Sequence, residues 1–130
     1  MLLQTTLSLA AAAAIINFWL ALRIGQLRGK LKVSVGTGGH EAIERRMRAQ
    51  LNFAENVPVL LILIGLIEAA QKGGAWLAPV GAVLMLARVL HGLGMDGGKW
   101  QWGRGLGTAV TMLATIGLAI VAVLIALGQI

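Results

Sequence analysis

The sequence predicts an all-α membrane protein built as a four-transmembrane-helix bundle. Three observations carry that prediction. Of 130 residues, 58% are hydrophobic and only 12% charged, against about 25% charged in an ordinary soluble domain. Four apolar stretches are each long enough for the roughly 20 residues that a spanning helix needs. The basic residues gather beside the ends of those stretches, where membrane topology is written. The length leaves room for a single domain, residues 1–130. Cysteine is absent, which excludes a disulfide framework, a thiolate metal site and a cysteine nucleophile. Any sulfur chemistry therefore needs a thiol brought in by a ligand. The net charge of +6 lies beside apolar spans, so it is not a nucleic-acid signature.

The first span is expected over about residues 2–24. Its small residues at Ala10–Ala14 would suit a cleavable signal peptide. However, no Lys or Arg precedes the apolar run, and the first basic residue, Arg23, follows it. Residues 23–40 read as a basic, Gly-containing linker. Its Gly36-Thr37-Gly38-Gly39 lacks the Lys-Ser/Thr ending and the preceding strand of a phosphate-binding loop. Thr37 or His40 can cap the helix that follows, and Glu41 and Glu44 suit its positive end. His40 and Glu44 stand at i and i+4, but two ligands make no metal site, and none is expected.

The second helix is expected over about 41–71, longer than a bilayer is thick, with its basic first turns projecting beyond it. Lys72-Gly73-Gly74 is a turn. The third span follows over about 75–94, with Trp76 as an interface anchor and Pro79 tolerated in the first turns. A Gly-rich connection with Trp100 and Trp102 leads to the fourth span, about 104–128, opened by Arg104. Ten of the eleven basic side chains fall on one side of this arrangement, Lys72 being the exception. By the positive-inside rule that side is cytoplasmic and both termini lie outside.

One stripe needs a reason. On a helix, Arg48, Asn52 and Glu55 sit at i, i+4 and i+7, on one narrow face. Lipid cannot satisfy an amide and a carboxylate there, so they must face other helices or a wet cavity. The topology brings Arg88, His91 and Arg104 to the same depth. The result is a cationic pocket with one carboxylate, at the cytoplasmic end. Glu55 and Arg88 are expected to form a structural ion pair. Asn52 and Asn56 suit hydrogen bonds between helices. The surplus charge of Arg48 and Arg104 suits an anion or a peptide.

The run Glu44-Arg45, Arg48-Ala49, Asn52, Glu55 and Pro58 resembles the signature of the membrane-associated proteins in eicosanoid and glutathione metabolism, the MAPEG family. Gly25-Gln26-Leu27-Arg28 is similar to the end of that family's first helix. Arg88-Val89-Leu90-His91 is similar to its Arg-x-x-His on the third helix, and Arg104 to the arginine that opens its fourth. The resemblance covers most of the chain and, with the short length, points to the bacterial branch.

The resemblance implies a trimeric fold and a homotrimer in a bacterial inner membrane. It implies a glutathione site between protomers at the cytoplasmic end. Arg28, Asn52, Glu55 and His91 match positions that hold the tripeptide, and Arg48 and Arg88 match signature arginines that brace it. Arg104 matches the residue that stabilises the glutathione thiolate and is the expected catalytic residue. A cation beside sulfur favours its charged form. The implied activity is that of a membrane-bound glutathione transferase or peroxidase. The second substrate would be a hydrophobic electrophile or lipid hydroperoxide entering from the bilayer.

There are departures. Leu51 stands where arginine is frequent, Phe53 for a frequent aspartate, Met95 for a tyrosine and Gly105 for a serine. Each removes a donor or acceptor, which points away from eicosanoid synthesis. Two other readings are a non-catalytic membrane scaffold of the same fold and a small proton-coupled multidrug exporter. The exporter needs a carboxylate near the midplane, and the first span carries none.

Overall fold

The structure is a computed structural model that describes residues 1–130. It contains four helices long and apolar enough to cross a membrane, and no strand. They are α1 (Gln4–Leu31), α2 (Glu41–Ala69), α3 (Leu77–Gly94) and α4 (Trp102–Ala126), with a short 3-10 turn at Gly98–Trp100 before α4. Each helix buries one stripe. In α1 it is Leu9, Ala13, Ile16, Leu20 and Ile24; in α2 it runs from Ile43 through Phe53 and Leu60 to Ile67. Apart from the step from Ile43 to Ala49, these are steps of three and four residues, the helical period, and all but Ile24 and Ile43 meet in one core between the helices. The outward faces stay apolar: Ile15, Phe18, Ile62, Leu66, Leu86, Leu113 and Ile120 are all exposed. In water such a surface would be costly; hydrocarbon suits it.

The helices run alternately up and down. Thr6 at the start of α1 reaches Glu68 at the end of α2, so that pair is antiparallel. Leu9 and Leu20 of α1 pack where Gly81 and Gly92 of α3 leave room, so those two are parallel. The closest approach is between α3 and α4. A Cβ on Gly107 would stand 2.6 Å from both the Ala87 carbonyl oxygen and the His91 Cβ, and one on Gly103 would strike the Leu90 carbonyl. Glycine at these two places lets the backbones touch, as expected for small residues in membrane helices.

Two expectations about the helices are corrected. First, α1 does not end near residue 24: it continues through the expected linker to Leu31. Leu20, Ile24, Leu27 and Leu31 prolong one stripe, and Gly25 and Gly29 do not interrupt it. At 28 residues it is about 42 Å long, so its end stands beyond a hydrocarbon layer of about 30 Å. Lys32 closes it in the left-handed region at φ 58°. Second, His40 occupies the N-cap of α2 but its side chain does not cap, and the Thr37 hydroxyl instead accepts from the Gly39 N–H at 3.2 Å. The remaining boundaries fall within about two residues of expectation.

Candidate functional site

The basic end of the bundle holds two adjoining polar cavities. The inner one, about 380 Å³, is lined by Arg48, Leu51, Asn52 and Glu55 of α2, His91 of α3, Met95 just past it, and Arg104 and Thr108 of α4. The outer one, about 560 Å³, shares Arg48, Met95 and Arg104 and adds Thr37, Gly39, Glu41, Glu44 and Arg45. Arg104 and Arg48 therefore stand at the boundary between the two. An apolar groove of about 540 Å³ between α3 and α4 shares no residue with either.

Local structure explains each position. Arg48, Asn52 and Glu55 share a face of α2 because they are one and two turns apart. Arg104 lies two residues into α4, where the chain must turn back beside α3. A Cβ on Gly94 would strike the Arg104 backbone nitrogen, so this glycine lets the start of α4 lie against the end of α3. Asp96, between them, accepts from Arg23 of α1 and from Arg46 of α2, the latter through Nε and Nη2 at 3.2 Å each. Arg46 also donates to the Arg23 carbonyl at 2.7 Å, and Arg23 to that of Gly92 at 3.0 Å. The Arg23 guanidinium lies 4.9 Å from the centre of the Trp19 ring. One carboxylate thus fastens three parts of the chain around the connection that carries Arg104.

Five of the expected residues meet in the inner cavity: Arg48, Asn52, Glu55, His91 and Arg104. Arg28 does not join them. It lies across α2, in a groove of about 560 Å³ with Asn17, Met47, Gln50 and Leu51. There its Nε donates to the Gly36 carbonyl at 3.0 Å and its Nη2 contacts the Met47 sulfur at 3.4 Å. Leu51 is the wall common to this groove and the inner cavity.

The expected Glu55–Arg88 ion pair is not formed. The ion pairs of the chain are Arg23–Asp96, Arg46–Asp96 and Arg45–Glu41. Glu55 is exposed and lines the inner cavity. Arg88, 1% exposed, instead donates through Nη2 to Asn52 Oδ1 at 2.6 Å and through Nη1 to Thr111 Oγ1 at 3.1 Å. Its guanidinium lies 6.0 Å from the Phe53 ring centre. Asn52 does bridge helices, whereas Asn56 bonds the Asn52 carbonyl within α2 at 2.8 Å. Two buried side-chain atoms have no partner, Arg88 Nε and His91 Nδ1.

Sequence reasoning missed Asp96, Thr108 and Thr111. For the threonines a signal was present: Arg104, Thr108, Thr111 and Thr115 follow i, i+4, i+7 and i+11, the rule that exposed the α2 stripe. Thr108 lines the cavity and Thr111 holds Arg88. For Asp96 a lone carboxylate in a glycine-rich loop carries no periodic signal.

Chemically, the inner cavity offers two arginines and an amide to an anion, one carboxylate to a cation, and a histidine in its lining. Guanidinium groups favour bonded carboxylates and charged sulfur. No curated protein matches the chain. The MAPEG family model matches residues 6–124 of the 130. With its four apolar helices and a shared cationic end, this chain belongs to the MAPEG family.

Proposed function

We propose that the protein is a membrane-bound glutathione-dependent transferase or peroxidase acting on hydrophobic electrophiles or lipid hydroperoxides. The observation that carries this is the convergence of Arg48, Asn52, Glu55, His91 and Arg104 on one cavity. Membership of a family that includes glutathione transferases and peroxidases supports it. Arg48 and Asn52 suit the carboxylates and carbonyls of the tripeptide, and Glu55 its ammonium. Arg104 holds the thiolate, whose charged form a nearby cation favours. The sulfur then bonds to an electrophilic carbon as the leaving group departs with its electron pair. With a hydroperoxide it takes the distal oxygen as the O–O bond breaks, leaving an alcohol. A second thiol then completes the disulfide and releases water.

Arg28 enters through assembly. It lies across α2 from the cavity, beside an exposed Asn17 and a half-buried Gln50 that donates to the Asn17 amide oxygen at 3.4 Å, on a polar helix face poorly suited to lipid. A neighbouring copy covers that face in a homotrimer, and Arg28 of one protomer completes the site of the next. The basic end faces the cytoplasm of a bacterial inner membrane, with both termini periplasmic.

The test is glutathione binding by calorimetry to the detergent-purified protein, with turnover of a panel of electrophiles and hydroperoxides. Saturable binding is expected, weakened by Asn52→Ala. Arg104→Ala should lose about 10²–10³-fold in turnover, the usual cost of removing a group that stabilises reacting charge. Absence of binding at millimolar glutathione would favour the non-catalytic scaffold, and full activity in Arg104→Ala would remove the mechanism.

A further inference from the structure

Arg88 is a buried cation with no carboxylate among its partners. Its bonds run to an amide oxygen and a hydroxyl. The direction of each hydrogen bond here is dictated by chemistry. A guanidinium only donates, so the Asn52 atom 2.6 Å from Nη2 must be the oxygen. The Thr111 hydroxyl donates to the Gly107 carbonyl at 2.7 Å, which cannot donate. Its oxygen is therefore left to accept from Arg88 Nη1. The chain of donors runs from Arg88 to Asn52 on α2 and from Arg88 through Thr111 to Gly107 on α4.

The Asn52 oxygen is thereby turned towards Arg88, and the NH2, on the other arm of the planar amide, points away from it. That nitrogen makes no bond within the chain, and it is not among the buried unpartnered atoms. Asn52 lines the inner cavity beside Arg48, His91 and Arg104. We propose that Arg88 is a positioning residue that turns the Asn52 amide so that the inner cavity receives a donor, fitted to a carboxylate or peptide carbonyl oxygen of a bound thiol peptide. The inference rests on the glutathione reading for the identity of the ligand; the orientation itself does not.

An asparagine and an aspartate have nearly the same shape, so Asn52→Asp separates fold from recognition. The introduced carboxylate supplies Arg88 with the counter-ion it lacks, and an unpaired buried charge is costly. It also replaces the cavity-facing NH2 by a negatively charged oxygen. A merely structural asparagine would show stability and binding moving together. Here they should part.

The experiment measures the Tm of detergent-purified wild type, Asn52→Asp and Asn52→Ala, with glutathione Kd by calorimetry for each. The expected result is a Tm for Asn52→Asp at or above that of wild type and a Kd weakened at least tenfold. Arg88→Met, which frees the amide to rotate, should also weaken binding. Binding by Asn52→Asp within threefold of wild type overturns the proposal, as does a parallel fall of Tm and affinity. If the wild type binds no glutathione, the functional reading fails separately. The Tm order still decides the orientation: Asn52→Asp above Asn52→Ala supports it, and the reverse overturns it.

Discussion

The two ends of the bundle solve the same problem differently. At the end near Trp76, the first amides of α1 have no capping side chain of their own. Glu68 of α2 closes them: its carboxylate accepts from the Thr5 and Thr6 N–H groups at 2.8 Å each and from the Thr6 hydroxyl at 2.6 Å. Donors are matched to acceptors, and a carboxylate sits at a helix N-terminus where the dipole favours it. The basic end is unequal. Arg48, Glu55 and Arg104 line the cavity without an ion pair to any other residue, and Arg88 Nε and His91 Nδ1 are buried without partners. A polar cluster that satisfies itself holds helices together. One that stays open leaves its donors and its carboxylate free for a ligand, as the proposed function requires.

Four substitutions test that contrast, in descending order of expected effect. Arg104→Ala at the open end should remove about 10²–10³-fold of turnover with the fold retained, read by kinetics beside Tm. Gly107→Ala sits where α3 and α4 touch; its methyl would meet a carbonyl oxygen and the His91 Cβ at 2.6 Å. Overpacking of this kind costs about 1–3 kcal/mol, and because it displaces His91 it should lower both Tm and glutathione affinity. Asp96→Asn weakens the fastening of Arg23 and Arg46, which is partly exposed, so its Tm should fall by the equivalent of about 1 kcal/mol or less. Its kcat should fall more than its KM changes, because the connection that carries Arg104 loosens. Glu68→Gln at the closed end should give a smaller fall in Tm and leave glutathione binding at the wild-type value. A change of affinity there would end the distinction between the two ends.

Much of this architecture is legible in the sequence. Hydropathy locates the four helices, and the charge count places ten basic residues at one end. The step from Arg48 to Asn52 to Glu55 marks the cavity-lining face of α2. Arg104, close after the end of α3, has to lie near His91. The length of α1 is not legible in the same way. Hydropathy reports where lipid would end, whereas the helix ends only where its backbone bonds do, and the stripe from Leu20 to Leu31 carries it further.

The partners of Arg88 and the place of Arg28 show the deeper limit. By sequence, Glu55 is the natural acceptor for Arg88, since opposite charges at one depth attract. In the fold, Glu55 lines the cavity without reaching Arg88, and α2 brings the Asn52 Oδ1 to 2.6 Å from Arg88 Nη2 instead. Thr111, carried on the far side of the contact at Gly107, takes the second bond. Arg28 shares the basic end but lies across α2 from the cavity. The class, the spans, the end that carries the charge and the identity of most residues gathered there are all written in the chain. They follow from local quantities, the period of a helix and the cost of a charge in hydrocarbon. Which side chain bonds which is settled by tertiary packing alone, because it depends on rotations and offsets between helices of about an ångström or two. A hydrogen bond is lost over that distance, while hydropathy does not change at all.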